Sequence, residues 1–250
     1  MARSALLLIA FILCGAANTA TALLTQECQG CWRLSGTITD DDLKQIKAIA
    51  DRVGSAPENP AFFNLDSDGG DIDIAMAVGR QLRRMSATAG IARIQKCLSS
   101  CVIVLAGAVT RLMGVMNNIG IHRPYSLRTD QREYSTIQEE QRALARRTKA
   151  YLEEMNVSPG LYDAMMRIPP EKMRFLSESE LEEFGLTATD PAYQELMNAS
   201  GARYYGLSKL EYLRRKAQGE YQCQAELSRG GATGDMSGYS TCLKGIMRGK

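Results

Sequence analysis

Two serines set between two cysteines, together with one histidine in 250 residues, are the arrangement in this chain best suited to chemistry. Ser99 and Ser100 lie in KCLSSCVIVLAGA, residues 96–108, after a strand-like run at 90–95 and before an apolar run that closes on Ala106-Gly107. A tight strand-to-helix turn exposes a turn side chain and aims the first N–H groups of the helix at whatever binds there. Acyl-transfer chemistry places a nucleophilic hydroxyl at such a turn. Serine is also a favoured helix N-cap, contributing on the order of 1 kcal/mol, so the pair by itself reads as a cap and it is the other residues that argue for chemistry. His122 is the sole histidine, which excludes a multi-histidine metal site and obliges any serine–histidine mechanism to use it. Gly69-Gly70 reads as a turn, and as a place where backbone N–H groups can approach a ligand without a side chain in the way. Acyl transfer needs two such donors aimed at a developing oxyanion; Gly70 N–H and Ser100 N–H are the candidates.

The surrounding pattern supplies elements to hold these groups. WRLSGTI (32–38) reads as a strand, and Thr39 with Asp40, Asp41 and Asp42 opens a helix whose Leu43, Ile46, Ile49 and Val53 follow helical spacing until Pro57 and Pro60 break it. A short apolar run at 61–65 leads to a turn, DSDGGD, and a helix over 72–85 with Asp71 and Asp73 in its first turn. Short strands are expected at 111–116 and 119–121, separated by Asn117-Asn118, the second running into His122-Arg123-Pro124. Strands alternating with helices predict an α/β fold with right-handed crossovers. In such a sheet the groups at strand carboxyl ends converge on one crevice, which would gather residues 66–70, the serine turn and His122. A long amphipathic helix is expected over 134–155, its Ile137, Leu144, Tyr151, Leu152 and Met155 face docking on the protein's own body or on a second copy in a homo-oligomer. Pro191 marks a boundary; beyond it 207–216 reads as helix and 228–238 as loop.

The first 22 residues have the form of a secretory signal peptide: Arg3, an apolar core over 5–13, and Ala20-Thr21-Ala22 before the cleavage point. The apolar run is too short to span a bilayer, where about 20 residues are needed. A periplasmic or secreted protein is therefore expected. Setting aside Cys14, six cysteines fall into close pairs, Cys28/Cys31, Cys97/Cys101 and Cys223/Cys242, which in an oxidising compartment read as three disulfides. Cys97 or Cys101 beside His122 would suit a thiol nucleophile, but a neighbouring pair outside the cytosol favours a bond. Cys28-Gln-Gly-Cys31 lacks the strand and helix of a redox motif, and a four-cysteine zinc site would turn Cys97 and Cys101 away from the crevice; no metal is expected. The net charge of +2 points to neither nucleic acid nor an acidic membrane. Residues 192–250 carry nine Lys/Arg against five Asp/Glu, and six of the ten tyrosines, the composition of a basic, Tyr-rich extension.

Over residues 36–190 the chain resembles the Clp protease proteolytic subunit and the wider crotonase-like superfamily. FFNLDSDGGDIDIAMAVGRQLRR is similar to that family's strand, Ser-Pro-Gly-Gly loop and helix, with Asp68 in place of the proline; CLSSCVIVLAGAVTR to its nucleophile turn and helix; NNIGIHRP to the strand end carrying its histidine; and MRFLSESELEEFGLTATD to its closing segment. The resemblance implies a crotonase-like βαβ superhelical core over 23–191, followed by a helical C-terminal extension. It also implies Ser99 as nucleophile, His122 as general base, and an oxyanion hole at Gly70 and Ser100. It departs at one position: the family's catalytic Asp is here Met173. Glu171 and Asp163 are near enough to it in the chain to be candidates for a third member.

The expected function is an exported, ATP-independent serine hydrolase, a peptidase acting on peptides or flexible protein segments, with no cofactor and no ATPase partner. The alternative is a catalytically inactive binding or assembly module that keeps the fold and holds a partner through its extension. Acyl-coenzyme A chemistry on the same scaffold is disfavoured, because export separates the protein from that cofactor.

Overall fold

The computed structural model describes residues 23–54, 61–114, 118–125, 134–225 and 236–249. The signal segment, Cys14, the prolines at 57 and 60, Asn117 and most of the 228–238 loop lie outside the described residues. The chain starts with a hairpin, β1 (Leu23–Cys28) and β2 (Cys31–Ile38), whose tip is closed by the Cys28–Cys31 disulfide. Helix α1 (Asp40–Val53) follows, its first turn fixed by Asp42, whose buried carboxylate accepts from both the N–H and the hydroxyl of Thr39. Then come β3 (Phe62–Gly70), α2 (Ile72–Arg84), β4 (Thr88–Ile91), β5 (Cys97–Leu98), α3 (Cys101–Gly107), β6 (Thr110–Met113) and β7 (Ile119–Ile121). The second half holds α4 (Tyr134–Glu154), α5 (Gly160–Met166), β8 (Arg174–Phe175), α6 (Glu178–Phe184), β9 (Ala188–Thr189), α7 (Pro191–Tyr204), α8 (Lys209–Gln222) and α9 (Met236–Met247). The fold is α/β, with a mixed and mostly parallel sheet of nine strands among the described residues.

Strand β3 is the trunk from which that sheet forks. Along one edge it pairs in parallel with β2 throughout; along the other, Phe62–Asn64 pair with β4 while Ser67 pairs with Cys97 of β5. One branch runs β4, β6 and an antiparallel β9, the other β5, β7 and an antiparallel β8. The fork corrects two expectations. The turn at 66–70 is instead the second half of β3, since Asp66, Ser67, Gly69 and Gly70 pair with residues 35–38 and the Ser67 hydroxyl donates to Gly36 O. The strand at 90–95 ends at Ile91, and a separate two-residue strand, β5, carries the serine turn.

The core lies between the sheet and helices α1, α2 and α3, with Trp32 stacked on Phe63 at 5.4 Å. Every residue of α3 is buried. It crosses α2 at backbone contact: a Cβ on Gly107 would stand 2.3 Å from Gly79 Cα. Tyr151 of α4 donates its hydroxyl to Ile103 O at 2.8 Å, and burial pushes that hydroxyl's pKa up. At the far end of α3, Arg111 donates to Ala106 O, Met155 O and Gly185 O, tying three carbonyls from distant segments together. Burial lowers its pKa to about 10, with nearby Arg83 adding to the effect. The extension is more regular than expected. Asp190 caps α7, which begins at Pro191, while Met236 to Gly238 open α9 rather than close a loop. The Cys223–Cys242 bond ties the end of α8 to α9.

Candidate active site

The parallel register of β5 and β7 sets Leu98 against Gly120, so the two residues after Leu98 lie towards the two after Gly120. By this register Ser99 and Ser100 come beside Ile121 and His122. The turn is anchored on both sides: Ser99 N–H donates to Gly120 O at 2.8 Å, and Ser99 O accepts from Val102 N–H at 3.1 Å. Ser99 itself sits at φ 55°, a left-handed backbone that costs a non-glycine residue on the order of 1 to 3 kcal/mol and persists only where its surroundings impose it. Its side chain is half-buried, and its hydroxyl makes no hydrogen bond to protein among the described residues.

The end of β3 closes over this turn. Gly69 has φ 100°, and a Cβ there would lie 2.7 Å from Ser99 Cβ and 3.1 Å from Ser100 N. Only glycine lets the two segments approach so closely. The Ser100 hydroxyl donates to Gly70 O at 3.0 Å, latching turn to loop, and Ser67 Oγ accepts from Gly69 N–H at 3.1 Å. Ser100 N–H donates to no group among the described residues. Asp71 accepts from Asp73 N–H and Ile74 N–H and so starts α2 where the loop ends.

Ser99, Ser100, Gly69, Gly70 and His122 line one cavity of about 890 Å³. Its far wall is residues 137–147 of α4, through Ile137, Leu144 and Arg147, with Tyr125 and Met165 completing it. Arg147 reaches across to Asp73 through two bonds of 2.6 and 2.7 Å, which hold the guanidinium above its ordinary pKa. Asp68 pairs with Lys96 beside the turn. The serine hydroxyl and the imidazole share the cavity without a hydrogen bond between them. Catalytic contacts in an empty site are commonly long and tighten once substrate is bound.

His122 is buried, at 7 % exposure, and its Nδ1 has no hydrogen-bond partner among the described residues. Gly120 and His122 project from the same face of β7, and the thioether of Met173 packs against Gly120, 2.7 Å from where its Cβ would be. A thioether is at best a weak acceptor and cannot orient an imidazole as a carboxylate does. Neither proposed substitute stands in. Asp163 faces outward from α5 to Lys149, at 2.7 Å, and Glu171 is exposed; neither lines the cavity. Proximity in the chain suggested them, but α5 and the connector after it turn these carboxylates to solvent.

Sequence reasoning missed the α4 wall and the Asp73–Arg147 bridge. Ile137 and Leu144 were legible as one apolar face of α4, and that face covers the cavity rather than docking wholly on the body. Ser67 was also missed, because a hydroxyl inside a D-S-D-G-G run carries no sign that a distant carbonyl will take it. No protein-family model matches the chain, and no curated protein matches its sequence.

Proposed function

We propose that the chain is an exported, ATP-independent serine hydrolase of the crotonase-like, Clp protease type, acting as a peptidase on peptides or flexible segments. The observation that carries this reading is the shared cavity: on a left-handed turn a hydroxyl with no hydrogen bond to the described residues, the chain's one imidazole, and an amide N–H with no acceptor among the described residues. In the reaction Ser99 Oγ attacks the substrate carbonyl carbon while His122 takes its proton. The oxyanion accepts hydrogen bonds from Ser100 N–H and Gly70 N–H, and the imidazolium returns the proton to the departing amine. Water then hydrolyses the acyl-enzyme by the same route. A cavity of this size takes a short extended segment and not a folded domain, and neither ATP nor a bound cofactor enters any step.

Met173 and the unpartnered His122 Nδ1 favour a second reading, a binding or assembly module in which the fold persists and the triad does not. Labelling of the mature protein with a fluorophosphonate separates the two. The hydrolase reading expects covalent labelling that disappears in Ser99→Ala and persists in Ser100→Ala at a reduced rate. Absence of labelling in the folded wild-type protein, with a partner recovered on it from an extracytoplasmic extract, would establish the module instead.

A further inference from the structure

We propose that the Cys97–Cys101 disulfide is the device that positions the Ser99 turn, and that the hydrolytic site is assembled only while this bond is closed. The catalytic half of the proposal rests on the serine hydrolase reading; the structural half, that the bond holds the turn, does not. The bond joins the first residue of β5 to the first residue of α3 and encloses only Leu98, Ser99 and Ser100. Both cysteines are fully buried in the core, and neither lines the cavity. The sulfurs therefore brace the turn from beneath while its reactive atoms face the opposite way.

Its place in the chain argues against a role in overall stability. The stabilisation a cross-link gives through the unfolded chain grows with the loop it closes. Cys97–Cys101, with a sequence separation of 4, constrains far less than Cys223–Cys242, with a separation of 19. What the short bond can constrain is the reversal itself. Ser99 needs help there, because its left-handed backbone is disfavoured for any residue with a Cβ. A two-residue strand and a seven-residue helix are too short to impose that conformation by their own ladders. The remaining restraints on Ser99 and Ser100 are single contacts, among them Ser99 N–H to Gly120 O, Val102 N–H to Ser99 O, Ser100 Oγ to Gly70 O, and the packing of Gly69 on the turn.

Opening the bond therefore releases Ser99 towards the ordinary backbone region, carrying Oγ away from the cavity and swinging Ser100 N–H off the oxyanion position. The step is a two-electron reduction by an external dithiol: the two sulfurs take up two electrons and two protons to give two thiols, and the dithiol becomes a disulfide. The reduced chain is folded and inactive, so activity begins when the chain meets an oxidising compartment.

The test uses the full mature protein in three forms: wild type, wild type reduced by a dithiol with iodoacetamide trapping to show which pair has opened, and Cys97→Ala/Cys101→Ala. The inactivation rate constant and the affinity for a fluorophosphonate are measured separately, beside amide hydrogen exchange by mass spectrometry. With the bond open, the inactivation rate constant falls about a hundredfold at nearly unchanged affinity, and exchange over 97–102 rises about tenfold or more while that over α1 and β2 is unchanged. A loss of labelling matched by faster exchange throughout the chain would overturn the proposal in favour of a general structural role. So would unchanged exchange at 97–102 in protein whose Cys97 and Cys101 are trapped as thiols. If the wild type takes no label, the hydrolase reading fails along with the catalytic half, and exchange over 97–102 still decides whether the bond holds the turn. Should the double variant not fold, the trapped wild-type protein gives the same readouts.

Discussion

The two sides of the cavity are built to different standards. On the serine side the turn is held by a disulfide beneath, by Gly69 and Gly70 above, by β7 alongside, and by an α3 that is wholly buried and pinned at its far end by Arg111. On the histidine side one ring nitrogen has no partner among the described residues, and a thioether packs on the strand face where an acceptor would be useful. The comparison teaches that holding a left-handed serine turn and orienting an imidazole are separable tasks. The first depends on backbone packed into the core and tolerates almost no substitution. The second depends on one polar side chain, which can be lost while the fold remains.

If the serine side is as constrained as its packing indicates, Gly69→Ala has the largest effect. The new methyl would stand 2.7 Å from Ser99 Cβ and 2.9 Å from Leu98 O, on a backbone at φ 100°. Overpacking of this kind costs about 1 to 3 kcal/mol, and fluorophosphonate labelling should fall by about 100-fold or more because the turn itself is displaced. Chemical denaturation and labelling of the same sample check both. Near-wild-type labelling would remove the claim that this side is rigid.

The histidine side is the place for a gain. Met173→Asp places a carboxylate on the same face of β7 as His122, at a site 37 % exposed, where the charge stays partly solvated. The expected outcome is labelling about tenfold faster or more, abolished again by His122→Gln, since orienting the base is worth orders of magnitude in serine hydrolases. His122→Gln alone should slow labelling by about 100-fold. A Met173→Asp protein no faster than wild type would mean that the base is not limited by its missing partner.

How much of this was legible from the residues follows the range of the interactions involved. Helices α1 and α2 were legible because Leu43, Ile46 and Ile49, or Asp71 and the apolar positions after it, declare themselves within a few turns. That Ser99 and His122 would share one crevice was legible, because the order of segments around them placed both at strand ends. The second half of β3 was not, because Asp66-Ser67-Asp68-Gly69-Gly70 has the composition of a turn, and its pairing is decided by β2, some thirty residues earlier. Arg111 was legible only as the start of a short strand; its three carbonyl partners belong to α3, the end of α4 and the end of α6. The same limit applies to a third member, since Asp163 and Glu171 are close to Met173 along the chain and neither lines the cavity.

Acid should loosen the junction where Asp190 holds the start of α7 to α2 and to Asn156. Asp190 is buried, which by itself would raise its carboxyl, but Arg83, Tyr193 N–H and Asn156 hold the charged form and keep it below the ordinary range. The unfolded chain therefore binds this proton at higher pH than the folded chain. The stability Asp190 contributes is fully present above the unfolded value, about pH 4, and is lost as the pH falls through the lower folded value. Between about pH 5 and pH 3 the wild-type melting temperature should fall more steeply than that of Asp190→Asn. Equal slopes would show that this carboxylate does not anchor α7 to α2.

The smallest effect on stability belongs to the far wall. Arg147 and Asp73 are each about half exposed, with 46 % and 52 % of their side-chain surface accessible, so their bridge across the cavity is screened by solvent. Removing it with Arg147→Gln should change stability by no more than about 1 kcal/mol. Both residues nevertheless line the cavity, and Arg147 is the one Lys or Arg among its described lining residues, which also include Asp68, Asp71 and Glu140. Losing it leaves the wall more acidic, so the affinity for peptide substrates carrying lysine or arginine should rise relative to acidic ones, with the labelling rate constant at saturation unchanged. A shift in that rate constant instead would mean that α4 also takes part in holding the base, and the division between a braced nucleophile and an unsupported histidine would have to include the helix that faces them both.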